Sequence, residues 1–476
     1  MKLEKDVKSL KRPEVDIKNK CERFRVKDYS FPHQYCHLCF SRFMSLRPFL
    51  LKAVQRKWKC HLSVEQEKVE EKIASQGNPE DRLIPILNEL KDMKMESECI
   101  IMGFVTKEMK NRPTILDEYL QDIEETTKNS QLSNYTSNDD KVYIEDSSSR
   151  IPLTLKEEVF SVNNLISGTI LAVRGVQNSG GNFLVSDLTF ASPPEEIIGK
   201  EYTLGKSSQP VYLAFVSGLN IGSEIENSLS LQLFRDFIMG VSSYSSEHRL
   251  LSSQIAYLII AGNIIRLLDT AKETVTGTGT KLVVNNELLS SRLGVVDSFI
   301  SQLASTISLA IMPGEDDPVP ISLPQPPFQP YIFKNSRNYQ SFNSFTNPCL
   351  FSINNIRVTG VSGQCISKIS LFSSYSKPID ALKFCVESRN IAPTCPDVIP
   401  TYPFFDRDPF ALDYTDESFP QVIFAGNQSE FGSYRFPNNG PLCFTIPEFS
   451  NNPTLVLLDI NSYELKTISF KTSLSI

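Results

Sequence analysis

Two short stretches of this sequence are apolar at every position: residues 211–216 (VYLAFV) and 255–261 (IAYLIIA). A strand of this composition is buried on both faces, so other structure must cover it from two sides. Residues 286–311 carry apolar residues at helical spacing. Further strand patterns lie at 350–353, 357–360, 422–425 and 455–459. This alternation predicts a layered α/β domain with a mixed sheet over residues 200–476.

A different pattern precedes that domain. Five short β-rich segments are separated by turn residues. They are 98–106 (ECIIMGFVT), 141–145 (KVYIE), 150–155 (RIPLTL), 165–173 (LISGTILAV) and 181–190 (GNFLVSDLTF). This number of short strands predicts a small Greek-key barrel of the OB type, assigned to residues 96–195. The polar stretch 124–140 is expected to be a mobile loop, and the sequence ASPP at 191–194 marks the domain boundary.

Residues 1–95 are predicted to be a basic leader followed by a helical segment. Apolar residues within 35–58 follow helical spacing and are interrupted at Pro48, which predicts a kinked or split amphipathic helix. Residues 63–73, rich in Glu and Lys, predict a second helix. Residues 1–30 lack periodicity and predict a flexible start. The basic charge of this leader suits either contact with an acidic partner or DNA, or a solvated tail.

Composition limits the compartment and the class of partner. The formal net charge is -7 and the isoelectric point about 5.4, which argues against a bulk nucleic-acid binder. The ten cysteines are scattered and no apolar leader precedes them, which predicts reduced thiols in a cytosolic or nuclear protein. No apolar run approaches the ~18 residues that a membrane span needs, so no membrane partner is expected.

Functional groups in layered α/β folds lie on loops at the carboxyl ends of strands. Here those loops are 217–223 (SGLNIGS), 261–266 (AGNIIR), 313–317 (PGEDD), 361–365 (VSGQC) and 425–433 (AGNQSEFGS). Their order and spacing resemble the calcineurin-like metallophosphoesterases, whose active members hold two metal ions with Asp, Asn and His at these loop ends. The loop glycines match that pattern. The positions that the resemblance assigns to the family's metal-site motifs are Gly218, Asn220, Asn263, Arg266, Glu315, Asp316, Ser362, Asn427 and Ser429.

These residues do not suit two divalent cations, whose charge requires a bridging carboxylate. Gly218 has no side chain, Asn263 has a neutral amide, and Arg266 adds a positive charge. Of the four histidines, His248 alone lies in this domain, and it is outside the loops. We therefore predict no catalytic residue, no metal and no cofactor. A weak Mg²⁺ site on the acidic run 315–317, which retains Asp317, is the alternative to a solvated turn.

This pattern of lost ligands resembles one family more closely, the small, second (B-type) accessory subunits of eukaryotic DNA polymerase delta. The motifs that carry the resemblance are YCHLCFSRFMSLRPFLL (35–51), FVSGLNIG (215–222), AGN (261–263), MPGEDDPVPISLPQPPFQPYIF (312–333), TNPCLFSINNIRVTGVSGQ (346–364), APTCPDVIPTYPFFDRDPF (392–410) and FAGNQSEFGS (424–433). The resemblance implies an OB domain followed by an inactive calcineurin-like phosphoesterase domain. It also implies a non-enzymatic, nuclear role in DNA replication and repair. The insertion at 63–95 and the basic leader depart from the family.

The same resemblance implies the partners. They are the cysteine-rich C-terminal domain of the polymerase delta catalytic subunit and a third subunit, with DNA and the sliding clamp contacted indirectly. The aromatic residues Tyr402, Phe404, Phe405 and Phe410 are candidate partner-binding anchors, although core packing would explain each of them equally well.

Three other interpretations are weighed against this one. Cys36 and Cys39 with His33, His37, Cys60 and His61 would be zinc ligands, but their helical spacing favours core packing. The barrel aromatics Phe104, Tyr143, Phe183 and Phe190 are spaced like core residues, which disfavours a single-strand DNA-binding protein. The third alternative is a metal-dependent phosphoesterase or nuclease with atypical ligands.

Overall fold

A computed structural model gives the architecture of the 476-residue chain. The described residues are 11–27, 29, 31, 33–59, 84–113, 134–195, 197, 209–222, 228–241, 246–266, 271–276 and 279–471, and within 271–284 only the backbone is described. The chain forms two compact units. The sheet unit comprises Met1–Lys27, Glu195–Gln364 and Pro420–Ile476, and the barrel unit comprises Asp28–Pro194 and Cys365–Phe419.

Strands and helices of the described residues are numbered in chain order. The strands are β1 (Ile17–Asn19), β2 (Glu98–Glu108), β3 (Lys141–Glu145), β4 (Arg150–Thr154), β5 (Ile170–Gln177), β6 (Phe183–Phe190), β7 (Tyr212–Val216), β8 (Ile255–Ala261), β9 (Ala271–Thr276), β10 (Gly279–Val284), β11 (Ser308–Met312), β12 (Phe342–Ser344), β13 (Cys349–Ile353), β14 (Ile356–Val361), β15 (Val422–Gln428), β16 (Gly432–Arg435), β17 (Leu442–Pro447), β18 (Thr454–Asp459) and β19 (Leu465–Ser469). The helices are α1 (Cys36–Trp58), α2 (Ser228–Ile238), α3 (Ser246–Ser253), α4 (Asn286–Ala304), α5 (Gln364–Leu371) and α6 (Pro378–Glu387). None of these helices has the length and apolar character to cross a membrane.

The barrel unit is built on a closed five-stranded barrel in the order β2-β3-β4-β6-β5. Each predicted β-rich segment of this region contains one of these strands. The fourth strand begins at Ile170, five residues later than predicted. The reason is Gly168, whose φ of 84° is incompatible with an extended strand.

Helix α1 packs on this barrel through one residue per turn. Its buried side chains are Leu38, Arg42, Leu46, Leu50 and Val54. The apolar members of the C-terminal half join a core cluster with Ile100 and Ile170 of the barrel. The helix is continuous through Pro48, so the predicted split is wrong. Burial of Leu46 and Leu50, on either side of the proline, holds both halves of the helix against one surface.

Residues 365–419 belong to the barrel unit, whereas the predicted domain boundaries placed them within 200–476. The fully buried Arg42 of α1 accounts for much of this attachment. Its Nε lies 2.7 Å from Oδ2 of Asp408, which is also fully buried. The guanidinium further donates to the carbonyl oxygens of Gly168 (2.9 Å), Pro393 (3.0 Å) and Cys395 (2.9 Å). One side chain thus joins the helix, a barrel loop and the 393–408 segment.

The sheet unit contains two six-stranded mixed sheets, in the orders β1-β13-β14-β15-β17-β16 and β12-β11-β8-β7-β18-β19. One core cluster includes Phe215 of the second sheet with Phe424 and Phe444 of the first. A second cluster packs the other residues of β7 and β8 against Phe234 of α2 and Ile300 of α4. Strands β7 and β8 are therefore buried on both faces, as their composition predicts.

Two predictions about secondary structure are wrong. The predicted helix over 286–311 ends at Ala304, and β11 follows. The Ser305 and Thr306 hydroxyls bond to the carbonyl oxygens of Gln302 and Leu303, a local bond that competes with the helix. The predicted flexible start is also wrong for part of the leader, because β1 pairs with the edge strand β13. The predicted helix at 63–73 and residues 124–133 of the predicted loop lie outside the described residues.

Candidate functional site

The loops at the strand ends of the sheet unit meet at one point. A Cβ placed on Gly262, after β8, would lie 2.6 Å from Cβ of Ser362 and 3.2 Å from Nδ2 of Asn427. A Cβ on Gly218, after β7, would lie 2.9 Å from Oδ1 of Asn427. We call the residues brought together here the loop-end cluster: Gly218, Asn220, Asn263, Asp316, Asp317, Ser362 and Asn427. The sequence-predicted positions are thus neighbours in space, apart from those described as exposed below.

Gly218 stands where an active phosphoesterase has its first carboxylate, and its surroundings leave no room for one. A Cβ would lie 2.3 Å from Cγ of Glu448, far inside van der Waals contact. Its φ of 64° also disfavours any residue with a side chain. The glycine is therefore required by packing as well as lacking a ligand atom.

Asn220, in the position of the first histidine, serves as a tie between loops. Its Nδ2 donates to Oε1 of Glu448 at 2.8 Å and to Oγ of Ser450 at 3.0 Å. The side chain is fully buried, and its Oδ1 accepts no hydrogen bond from the described residues. The two donated bonds join the loop after β7 to the turn after β17.

Asn263, at the position of the bridging carboxylate, is paired with the acidic run 315–317. Its Nδ2 lies 3.4 Å from Oδ2 of Asp316, and its Oδ1 accepts from the Asp316 backbone N–H at 3.2 Å. A neutral amide engaged in this way cannot neutralise two divalent cations. Arg266 follows in the same loop and is half buried, whereas Glu315 is exposed.

Asp317, which retains the acidic residue of the motif, is turned into the protein. Its carboxylate accepts backbone N–H groups of Ile264 and Ile265 (both 3.0 Å) and of Gly314 (2.8 Å). Burial raises the pKa of Asp317 to about 7, against the lowering effect of these donors. The side chain therefore holds two loops together rather than facing solvent.

Ser362 and three amides form a buried polar network beside these loops. Nδ2 of Asn347 donates to Oγ of Ser362 and to Oε1 of Gln325, both at 2.7 Å. The Ser362 hydroxyl donates to Oε1 of Gln364. Nε2 of Gln325 reaches the Gly314 carbonyl oxygen at 3.0 Å. Neutral donors and acceptors satisfy one another here, so the network needs no cation to complete it.

Asn427 closes the cluster from β15. Its Nδ2 donates to the carbonyl oxygens of Ala261 (3.1 Å) and Ser362 (2.6 Å), while its Oδ1 is buried and accepts no bond from the described residues. Ser429, the last predicted position, is exposed and two residues beyond the cluster. His248 lies on α3, in edge contact with Phe237.

The chemistry of this donor set does not fit a two-metal centre. Two amide NH₂ groups, a hydroxyl and a glycine occupy the ligand positions, and each amide nitrogen already donates to an oxygen. Within the described ranges, no three His, Cys, Asp or Glu side chains are grouped as a metal site requires. This holds for Cys36 and Cys39 as well. Cys36 is exposed at the start of α1, so its predicted place on a buried apolar face is wrong.

The polar residues that complete the network were not identified from the sequence as site residues. They are Gln325, Asn347, Gln364 and Glu448, of which all but Glu448 are buried. Asn347 and Gln364 lie in the motif TNPCLFSINNIRVTGVSGQ, where a polar residue beside a buried strand was the available signal. Their partners are as far as 39 residues apart, which no local pattern reveals.

The four aromatic residues proposed as partner anchors divide into two kinds. Phe410 is fully buried and Tyr402 is 5% exposed, so exposed anchoring is wrong for both. Tyr402 packs under Tyr29 and Phe31, and Phe404 is half buried. Phe405 is 57% exposed and is the one of the four that presents its ring to solvent.

A groove of about 540 Å³ runs between α1 and the barrel. Cys36, Phe40 and Met44, one turn apart on α1, contribute to it, and the two larger side chains are 55% and 51% exposed. Phe104 of β2 lines the opposite wall. We call this the α1 groove. Helix α1 thus has two apolar faces, one buried on the barrel and one open to solvent.

Comparisons with known proteins agree with this architecture. The family described as the DNA polymerase delta subunit OB-fold domain matches residues 34–188, and the family described as the B-type subunit of DNA polymerase alpha/epsilon matches residues 213–433. The predicted fold class, a helical segment, an OB-type barrel and a layered α/β domain, is confirmed. A solved archaeal phosphodiesterase covers 54% of this chain and 99% of its own at 9% identity, with a TM-score of 0.29 that is too low to support an argument.

Similar full-length proteins identify the family. A DNA polymerase delta small subunit of Oryza sativa subsp. japonica is 30% identical over 468 residues, covering 98% of this chain and 99% of that protein. Those of Arabidopsis thaliana and Saccharomyces cerevisiae are 30% and 27% identical, covering 98% and 95% of this chain and 97% and 93% of their own lengths. This chain therefore belongs to the family of DNA polymerase delta small subunits.

Proposed function

We propose that this accessory subunit of replicative DNA polymerase delta is non-catalytic and acts as a nuclear scaffold in DNA replication and repair. The observation that carries the proposal is the loop-end cluster. Amide, hydroxyl and glycine residues occupy the positions of metal ligands, and they bond to one another. A scaffold needs these loops to be rigid, and the network rigidifies them without a metal.

The proposed partners are the cysteine-rich C-terminal domain of the catalytic subunit and a third subunit that connects to the sliding clamp. The α1 groove supports a protein-binding role. Its exposed Phe40 and Met44 give a continuous apolar surface of the kind that marks protein interfaces. Aromatic and methionine side chains are also the types enriched at interface cores.

Co-purification tests this assembly. The full chain, co-expressed with the C-terminal segment of the catalytic subunit, should yield a stable complex over a range of salt concentrations. Phe40→Glu with Met44→Glu should weaken the complex if the α1 groove contributes. Leu184→Glu is the matched control, because Leu184 is 44% exposed on β6 and does not line the groove. Failure of the wild-type chain to co-purify at any salt concentration would refute the scaffold function.

Hydrolysis of a model phosphodiester with Mn²⁺ tests the absence of catalysis separately. We expect no turnover above that of buffer containing Mn²⁺. Metal-dependent hydrolysis that Asp317→Ala abolishes would show instead an active phosphoesterase with atypical ligands. Because hydrolysis and co-purification measure different properties, each result can be interpreted without the other.

The barrel loop between β2 and β3 does not favour single-strand binding. Asn134 in this loop donates from Nδ2 to the carbonyl oxygens of Ser370 (3.0 Å) and Ser373 (2.6 Å). The Tyr135 backbone N–H bonds to the carbonyl oxygen of Leu371 at 2.8 Å. Loops of OB barrels commonly bind the oligonucleotide, and the described part of this one is held by the chain itself.

A further inference from the structure

The barrel unit has a second cavity, of about 280 Å³, between the C-terminal half of α1 and the segment that follows β6. We call it the basic pocket. The charged side chains that line it are Lys52, Arg56, Lys57, Arg389 and Asp416. Four cations thus face one carboxylate in a confined volume.

Lys57 is the one of these cations with a close carboxylate partner. Its Nζ lies 2.7 Å from both Oδ1 of Asp187 and the carbonyl oxygen of Leu188. Lys52 and Arg56 stand one helical turn apart on the exposed side of α1. The charge that remains to be balanced is therefore that of Lys52, Arg56 and Arg389 against Asp416.

Arg389 places positive charge in the floor of the pocket. It is 3% exposed, and its Nε donates to the carbonyl oxygen of Ser192 at 2.6 Å. The guanidinium carbon lies 4.2 Å from the centre of the Phe49 ring and 5.0 Å from that of Phe419. Burial lowers the pKa of Arg389 to about 10, and the nearby Arg56 adds to this. A desolvated cation held by neutral partners attracts an anion more strongly than a cation in water does.

The remaining walls are apolar and select between kinds of anion. Phe49, Ala53, Pro193 and Pro194 line the cavity beside the cations. A nucleic-acid backbone is charged and hydrated along its length, and it leaves apolar walls without a partner. A peptide in which acidic and aliphatic residues alternate satisfies both kinds of surface.

We propose that the basic pocket binds an acidic, leucine-containing segment of a partner polypeptide. Carboxylates of that segment would pair with Lys52 and Arg56, and an aliphatic side chain would pack on Phe49 and Pro193. The pocket is separate from the α1 groove, since the two share no lining residue. The proposal requires neither the absence of catalysis nor a particular polymerase subunit.

Fluorescence anisotropy with the full-length chain at low ionic strength tests the proposal. The probe is a short labelled peptide of alternating glutamate and leucine, and the reference probe has glutamine in place of glutamate. We expect the acidic probe to bind at least about tenfold more tightly than the reference, with an affinity that falls as salt screens the charges.

Lys52→Glu with Arg56→Glu should weaken binding of the acidic probe by about tenfold or more. Lys94→Glu with Lys141→Glu makes the same charge change at two exposed residues outside the pocket and should leave the affinity near that of the wild type. Lys52→Gln with Arg56→Gln, a milder change, should also weaken binding if the reversed charges disturb folding. Absence of binding by the wild-type chain, or equal losses in the pocket and control variants, would overturn the proposal. Tighter binding of a single-stranded oligonucleotide that is lost in the pocket variants would do so too.

Discussion

Removing the charge of Arg42 should destabilise the barrel unit more than any exposed substitution in it. Arg42→Met keeps the length of the side chain and deletes the guanidinium. Asp408 then remains buried with only the Phe410 backbone N–H (2.9 Å) and Nδ2 of Asn390 (3.3 Å) as donors. Three carbonyl oxygens also lose a donor. Breaking a buried ion pair costs about 3–5 kcal/mol of unfolding free energy.

For a unit of this size, that loss corresponds to a decrease in Tm of roughly 6–20 °C. Because the chain has two compact units, one unfolding curve does not have to describe a two-state transition. Hydrogen exchange measured on peptides from α1 and from 393–408 therefore gives the sharper assay. Both peptides should lose protection together, since one side chain holds them.

The matched control is Arg174→Met, which breaks a half-exposed ion pair with Glu98 in the same barrel. Such pairs contribute about 0–1 kcal/mol, so little change is expected. A double-mutant cycle with Asp408→Asn should give a coupling energy above about 2 kcal/mol. Equal small losses for Arg42→Met and Arg174→Met would refute the view that Arg42 attaches 393–408 to the helix.

Three further substitutions test the site and the aromatic residues. Gly218→Asp should lower the free energy of unfolding by about 2 kcal/mol or more, because of its φ and its contact with Glu448, and calorimetry should detect no gain in Mn²⁺ binding. The pKa of Asp317, about 7 in the folded chain, exceeds that of an unfolded Asp at about 3.9. The folded state therefore binds this proton more tightly, so its contribution to stability falls as pH rises from about 4 to 7, and urea unfolding of Asp317→Asn should lack that decrease. Phe410→Ala should cost about 3–5 kcal/mol and Phe405→Ala less than about 1 kcal/mol in urea unfolding, because only Phe410 leaves a cavity.

The double-sided burial of β7 and β8 was predictable because every side chain in them is apolar, and no polar residue could face solvent. Helix α1 was harder to interpret. Its apolar residues lie on two faces, and composition does not distinguish a face covered by the chain's own barrel from one open to solvent. The buried face includes Arg42, whose compensating acceptors are more than 100 residues away in sequence. A charged residue at such a position is normally interpreted as exposed.

The candidate site was predictable in position but not in bonding. Glycines at the loop ends identified the places where ligands would stand, because close backbone approach requires glycine there. The replacement network depends on Gln325 and Asn347, which belong to a segment between β11 and β13. Their contacts arise from the crossing of distant loops, so they are a property of the tertiary structure alone.

Three of the cluster's asparagines share a backbone property that explains their residue type. Asn220, Asn263 and Asn427 have φ values of 45°, 51° and 50°, in the left-handed region. Among residues other than glycine, asparagine tolerates this conformation best. Replacement of a metal ligand by asparagine therefore keeps the loop in its turn and adds an amide that joins it to a neighbouring loop. Most other neutral replacements would strain the turn, and alanine would also lose that link. The loops thus retain the geometry of a hydrolase site while their cohesion comes from neutral hydrogen bonds, which is the property that a protein-binding scaffold requires.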